Sequence, residues 1–440
     1  MDKRTVFLIT YHFPPLNNGA SIGLAKLVKF LPNLGWKVLV LTIDTRWIPR
    51  TQYAEEILTE LPPEVCILRV PVLRPTMRQS SSPYSTTKKW LIPFMRNCRS
   101  LSRWFLLPED HAFLWIPYAL PKALEIARGA NIKVIWTTSP PHNLHIIGLI
   151  VHKMTGIPWA IDLRDGWYGN PLFTPRCFVR RKFEHWLENL VMRNASHIIT
   201  RVHPLKDDLD RRYGTKTSIS IVPNGFDPED FDNEYVVKLS KSLKSLHRQK
   251  FTLAHIGLLG GNRSPEVLFK AIYQLTQCRP SAFYNFQFIN VGGIEHKWLE
   301  FAYGLGIDAL IVDIPNVPHR EAIAHMLASD ALWLIQVASD GGERAIPGKA
   351  YEYLAARKPI VASVCQGATR DLLEFTGGAF CVEPDDQESL VHVLMTLYDY
   401  WLSKPDSLKQ FQPNWNLVQQ MTRQYSAERL AQIFNEISHP

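Results

Sequence analysis

Residues 345–362 read AIPGKAYEYLAARKPIVA, and within them Lys349 and Glu352 stand three residues apart, a spacing that puts both on one face of a helix. The segment opens with Pro347-Gly348 and stops at Lys358-Pro359, before a β-branched pair, so it reads as a short helix feeding a strand. A carboxylate flanked by Tyr351, Tyr353 and Leu354 is partly dehydrated and needs a partner. Two partners are available to Glu352 from sequence: Lys349, one turn back, or a bound ligand. Upstream, HIGLLGGNRSPE (residues 255–266) places Gly257 and two further glycines ahead of Arg263, and Ser264 or Asn262 can cap the helix that Pro265 and Glu266 begin. Helix starts with Arg263, Gly348 and Lys349 beside them suit a diphosphate, and both oxygens of a carboxylate can accept from a vicinal ribose diol. The combination points to a nucleotide diphosphate compound. For residues 255–266 alone, an ordinary strand-to-helix turn is the plainer alternative.

A second group of candidates lies earlier. SPPHNLH (139–145) carries His142 and His145, and DLRDGW (162–167) carries Asp162, Arg164 and Asp165. The histidines read as capping or packing residues or as chemistry, and the charged cluster reads as an internal ion-pair network or a site. Gly19, in YHFPPLNNGAS (11–21), would let backbone N–H groups approach an anion at the start of a helix expected over 22–34. Asp208-Leu-Asp210 fits a metal-binding D-x-D in pattern, but it falls in a helix-like polar stretch, so no metal site is expected there.

These residues must be carried by strand ends. Short apolar runs alternate with longer amphipathic segments, the pattern of an α/β protein with parallel sheets. Strands are expected near 5–10, 37–42, 134–137, 159–162, 197–200 and 218–222, and again near 251–256, 286–291, 310–313, 331–335, 359–362 and 379–382. A polar, Lys-rich stretch at 234–250 separates the two sets, so the natural division is two doubly wound domains joined near 223–250, with a helical tail from 414. In open α/β sheets ligands bind beyond the carboxyl ends of the strands, which is where the candidates above fall.

Composition agrees with an enzyme-sized globular protein: 440 residues, 46% hydrophobic and 20% charged. Disordered and collagen-like classes are excluded. The N-terminal apolar run is shorter than a signal-peptide core and reads as a first strand, while 134–152 contains prolines and three histidines, unlike a lipid-spanning helix. Six scattered cysteines without a C-x-x-C pair argue against disulfide and zinc frameworks and suit a reducing cytoplasm. The net charge of +8 is uneven: residues 1–227 hold 30 Lys and Arg against 17 Asp and Glu, the remainder 19 against 24. Residues 65–108 contain eight cations, Arg69 to Arg103, with interleaved aromatics and no acid, which is compatible with nucleic acid, with an anionic membrane surface or with a solvated helical face.

Seven ordered segments carry a resemblance: YHFPPLNNGAS, LGWKVLVLT, TTSPPHNLHIIG, GIPWAIDLRDGW, VPNGFDPEDF, HIGLLGGNRSPE and IPGKAYEYLAARKPIVA. Together they resemble the GT-B glycosyltransferases of the family-four, retaining type, particularly bacterial surface-polysaccharide members. The resemblance implies a GT-B architecture of two Rossmann-like domains facing a cleft. The first, 1–227, would bind the acceptor; the second, 228–413, the nucleotide sugar; and 414–440 would be a helical segment returning across the junction. It implies transfer from a nucleotide-diphosphate sugar to a glycan or lipid-linked acceptor with retained configuration, no metal and no cofactor, no nucleic-acid partner, and a cytoplasmic location, free or peripheral on the inner face of the membrane. Glu352 matches the family's ribose-binding glutamate, Gly19 its N-terminal glycine near the donor phosphates, and Arg263 its diphosphate-binding lysine.

Three positions depart from the family pattern. Leu258 replaces an arginine, with Lys349 the candidate substitute. Arg344 replaces the paired glutamate, with Glu343 adjacent. Arg164 stands where a histidine is common, which leaves His142 or His145 to serve near the transferred sugar, beside Asp165. A nucleotide-sugar epimerase of the same fold and a non-catalytic nucleotide-sugar-binding protein are the rival functions.

Overall fold

The structure is a computed structural model that describes residues 4–46, 55–72, 110–170, 178–214, 217–336 and 342–438. It divides into two compact units. One comprises Met1–Arg201, Leu205–Val222 and Ala427–Pro440; the other comprises Val202–Pro204 and Pro223–Ser426.

The first unit is built on a parallel sheet of seven strands in the order β3-β2-β1-β4-β5-β6-β7. These are β1 (Arg4–Ile9), β2 (Trp36–Ile43), β3 (Val65–Val70), β4 (Ile132–Ser139), β5 (Trp159–Leu163), β6 (His197–Thr200) and β7 (Ser218–Ile221). The central strands are buried on both faces, which is why they read as continuous apolar runs rather than alternating ones. Edge strand β3 lies inside the stretch whose cations drew attention above. Arg69 there donates to the carbonyls of Pro14 (2.6 Å) and Ile43 (3.5 Å), which ties it to the sheet edge. The rest of that basic stretch from residue 73 lies outside the described residues.

Helix α1 runs Gly19–Val28, not 22–34: Asn18 caps it by accepting from the Ser21 N–H (2.9 Å), and Leu31–Leu34 is a separate 3-10 turn. Helix α2 (His145–Thr155) follows β4, and helix α3 (Phe178–Met192) follows β5.

The second unit holds a parallel sheet of six strands in the order β10-β9-β8-β11-β12-β13. Its strands are β8 (Phe251–Ile256), β9 (Phe286–Val291), β10 (Ile311–Ile314), β11 (Ala331–Gln336), β12 (Ile360–Val364) and β13 (Ala379–Val382). The Lys-rich stretch expected to be a linker is the helix Glu234–Leu246, capped by Asn233; Val236, Leu239 and Leu243 enter the core of this unit. Helix α4 (Glu266–Cys278) follows β8, α5 (His319–Ala328) follows β10, and α6 (Gly348–Ala355) precedes β12. Ile323, Ala324 and Met326 of α5 share one core cluster with Tyr351, Tyr353 and Leu354 of α6. At about 25 cal/mol per Å² of apolar area removed from water, this burial is the main force fixing the two helices side by side.

The last helix, α7 (Arg423–Ser438), starts in the second unit, where the Arg423 N–H donates to the Phe226 carbonyl (2.8 Å). From Ala427 it belongs to the first, where Ala427, Leu430 and Phe434 join Trp36 and Trp136 in the core. Among the described residues, no helix is long and apolar enough to cross a membrane.

Candidate functional site

Beyond the strand ends of the second unit, four candidate groups come together. Strand β8 ends at Ile256, and the chain turns at Gly257 with φ +135°, a conformation that side-chain-bearing residues rarely adopt. A Cβ at Gly257 would stand 2.6 Å from Lys349 Nζ, so the lysine from α6 lies directly against the turn. Gly292, beyond β9, is equally constrained, since its Cβ would meet the Gly257 carbonyl carbon at 2.7 Å. Ser264 Oγ accepts from the Glu266 N–H (3.2 Å), the cap expected at the start of α4. Arg263 is exposed just ahead of it, close enough for its charge to act on Lys349.

Lys349 sits on an unusual base. His255, fully buried at the end of β8, faces the Trp333 carbonyl through Nδ1 at 2.9 Å. A carbonyl can only accept, so Nδ1 carries the proton and Nε2 presents a lone pair. Lys349 Nζ lies 3.5 Å from that Nε2. Burial, reinforced by the Lys349 charge, holds the His255 pKa well below the usual histidine value, which keeps this arrangement neutral on the histidine side. Burial and the nearby Arg263 charge bring Lys349 itself down to about 7, with Glu352 opposing. Its ammonium therefore readily loses its proton until an anion arrives.

Glu352, one turn along α6, has a partner that neither sequence alternative named. His319 Nε2, at the first residue of α5, lies 2.9 Å from Glu352 Oε1. The side chains are 14% and 24% exposed, so this is a half-buried pair with one side still open. Behind it, His319 Nδ1 faces the buried Asp230 carboxylate at 3.8 Å. Burial alone would raise the Glu352 pKa; His319, Arg423 and Lys349 outweigh it and hold the carboxyl below its usual range, as an anion at neutral pH. Arg423 is braced by the Asn224 side chain (3.2 Å).

At the start of α6, Pro347 provides no side-chain cap, and a Cβ on Gly348 would meet nothing within 4 Å. Packing does not require glycine at that position. The preceding loop is fixed instead through the Ala345 carbonyl, which accepts from Gln336 Nε2 (3.1 Å) and Thr369 Oγ1 (2.9 Å). Glu343 and Arg344 are exposed on it.

The candidates of the first unit form a different arrangement. At the end of β5, Asp162 is fully buried and accepts from Arg201 Nη2 at 2.5 Å, while Arg201 Nη1 donates to the Val222 carbonyl (2.8 Å). Arg164 donates to the Ala20 carbonyl in the first turn of α1 (2.8 Å). Asp165 is lifted above the usual carboxylate range, first by burial and then by Asp162, against the pull of Arg164 and Arg201. His142 stacks on Trp167 with ring centroids 5.4 Å apart, and its Nε2 lies 3.2 Å from the Asp165 carbonyl. Burial depresses the His142 pKa to about 4. His145 is buried with Nδ1 2.7 Å from Thr137 Oγ1, which also accepts from Trp159 Nε1. Gly19 is the exposed first residue of α1, and a Cβ there would meet nothing within 4 Å. The Asp208 and Asp210 pattern is a helical ion-pair set, with Asp208 bonded to Arg212 (2.7 Å) and Asp210 to Lys206.

Residues 18–225 match the glycosyl transferase 4-like domain family, and residues 250–399 match the glycosyl transferases group 1 family. The chain belongs to the GT-B glycosyltransferases of the family-four type.

Solved structures agree on the fold. This glycosyltransferase is similar to sucrose-phosphate synthase from Thermosynechococcus elongatus, with a TM-score of 0.66 at 15% identity, covering 99% of both chains. Anabaena HepE, solved with UDP and glucose, gives 0.65 at 15% identity over 99% of this chain and 100% of that one. WaaG, a glycosyltransferase involved in lipopolysaccharide biosynthesis, gives 0.60 at 16% identity over 99% and 100%. Among curated proteins, none matches the sequence.

Three residues of the second unit's cluster escaped the sequence reading: His319, Arg423 and, as the support of Lys349, His255. His319 carried a usable signal. It follows Pro318 at the start of a helix after β10, the same post-strand position at which the other candidates were sought.

Proposed function

We propose that this glycosyltransferase takes its sugar from a nucleotide-diphosphate donor held by the second unit, and transfers it with retained configuration to a glycan or lipid-linked saccharide destined for the cell surface. The observation that carries the proposal is the pairing, on one helix of eight residues, of the ionised Glu352 with Lys349, the latter against the Gly257 turn. Glu352 would accept from the ribose hydroxyls. Lys349 and Arg263, with the N–H group at Gly348, would hold the diphosphate beside the Gly257 turn, whose own N–H is taken by the Val291 carbonyl (2.7 Å), so Lys349 supplies the cation that Leu258 does not.

In this mechanism no protein nucleophile is needed. The glycosidic bond to the diphosphate breaks while Arg263 and Lys349 neutralise the charge growing on the leaving phosphate. One well-placed donor of this kind is typically worth about 3 to 4 kcal/mol in the transition state. The acceptor hydroxyl attacks the face the diphosphate leaves and passes its proton to a phosphate oxygen. Asp165 and His142 are proposed to lie on the acceptor side, and Gly19 near the donor phosphates. Their roles rest on the resemblance. No metal takes part in this reading, so EDTA leaves the rate unchanged. HepE, crystallised with UDP and glucose, and WaaG, of lipopolysaccharide biosynthesis, support the donor class and the surface-glycan setting. A cytoplasmic enzyme bound peripherally to an anionic leaflet, through residues 65–108, completes the proposal.

The test is donor hydrolysis or transfer by the purified protein with UDP, GDP and ADP sugars. Glu352→Ala and Arg263→Ala are expected to lose at least 100-fold in kcat/KM while keeping their fold. Full activity in both would remove the site assignment.

A further inference from the structure

We infer that His319 is a positioning residue for donor recognition: it holds the Glu352 carboxylate in the one orientation that reads the ribose. The inference rests on the donor-site reading above and extends it to a residue on another helix.

A glutamate on a helix surface turns freely about its last bonds, and an anion with roughly four lone-pair sites can point them anywhere. His319 removes that freedom. Its Nε2 lies 2.9 Å from Oε1, and an ionised carboxylate can only accept, so Nε2 is the donor of a charge-assisted bond. One such bond fixes the plane of the carboxylate and still leaves acceptor sites on both oxygens. Behind the imidazole, the Asp230 carboxylate lies 3.8 Å from Nδ1, beyond hydrogen-bond distance but near enough to attract the ring when it is protonated. Asp230 belongs to the short helix Pro228–Asp232, which Asp227 caps by accepting from the Glu229 N–H.

The backbone positions are equally fixed. Helices α5 and α6 bury Ile323 and Met326 against Tyr351 and Leu354, and the Tyr353 hydroxyl oxygen accepts from the Ile256 N–H at the end of β8 (2.8 Å). The histidine and glutamate are therefore brought together by packing, not by the few tenths of a kcal/mol typical of an exposed ion pair. Helix α5 thus supports, through His319, a carboxylate on α6 that is still about a quarter exposed, and the short helix of Asp230 lies behind the imidazole. A protein has no structural need for so much support around a surface glutamate, whereas a site that must discriminate one hydroxyl does.

The experiment measures binding of UDP, GDP and ADP by calorimetry, takes the tightest, and compares it with its 2′-deoxy counterpart. In the intact enzyme the ribonucleotide is expected to bind at least tenfold tighter. In His319→Ala that preference falls to twofold or less, through weaker binding of the ribonucleotide alone, because the phosphate contacts are untouched. His319→Gln, whose amide nitrogen can stand where Nε2 stands, restores the preference; His319→Asn, whose amide reaches only the Nδ1 position, does not. The Gln and Asn pair keeps the test decisive should the alanine variant fail to fold. A wild-type preference retained in His319→Ala and His319→Asn overturns the inference and leaves the donor-site reading intact. An intact enzyme that shows no preference, or that binds none of the three nucleotides, overturns the donor-site reading and this inference with it.

Discussion

The polar groups beyond the strand ends of the two units share a topological position and differ in how they are satisfied. In the first unit the charges answer one another inside the protein. Asp162 is paired with Arg201, Arg164 is bonded to a helix carbonyl, and His142 is stacked on Trp167. In the second, Lys349 leans on a neutral histidine, Arg263 is exposed, and Glu352 keeps about a quarter of its side chain accessible. Equal charge density thus means different things: a buried ion pair ties its own strands together, and a partly exposed set leaves groups that, in the proposed function, meet an anion and a diol.

The comparison can be broken in descending order of effect. Arg201→Ala leaves Asp162 buried and uncompensated, and loss of one partner of such a pair costs about 3 to 5 kcal/mol. Urea unfolding is expected to show that loss, while Glu352→Ala, at a half-exposed site, shifts the midpoint far less. Should the two variants unfold alike, the first network is not the structural one.

Acid gives the next largest effect. His142 has its pKa lowered to about 4, against 6.5 for a free histidine. A depressed histidine favours the fold in its neutral form, so its contribution is complete above pH 6.5 and is lost as the pH falls from there toward 4. The full loss is on the order of 3 kcal/mol at about 1.4 kcal/mol per pH unit. Melting temperatures between pH 7 and 4.5 should fall more steeply in the intact protein than in His142→Phe, and parallel slopes would contradict it.

The smallest effect sharpens the second site. Lys349 titrates at about 7 when the site is empty, and a bound diphosphate raises that value, so donor binding takes up a proton. Affinity is complete below pH 7 and declines by about tenfold for each pH unit above it, until the bound-state pKa is reached. Lys349→Arg, charged throughout, should flatten the profile between pH 6 and 8. A profile that keeps its slope in the arginine variant assigns the proton to another group.

Much of this was legible in the chain because parallel strands buried on both faces are continuous apolar runs. Strands β6, β8, β9 and β13 begin and end as their sequences indicate. Edge strand β3 was not legible. Only Val65 and Val70 of VCILRV are buried, so it is not a continuous apolar run, and its Arg69 looks like the first of a cationic series. The helix Glu234–Leu246 was read as a linker for a related reason: its apolar stripe is narrow, and only Val236 is fully buried. The pattern of Gly257, Arg263, Gly348, Lys349 and Glu352 was visible as residue types at strand ends and helix starts, since local backbone chemistry dictates where glycine turns and caps fall.

What the sequence determined by itself is the class of each element and the stock of groups along it: two alternating α/β sets, glycines where φ must be positive, and a lysine and a glutamate one turn apart. Tertiary structure decided the partners. Glu352 meets His319, 33 residues away, and Lys349 meets His255, 94 residues away. Sequence spacing encodes neighbours only within a helix or strand. Contacts between elements follow from which apolar faces bury together, and that is a property of the whole fold.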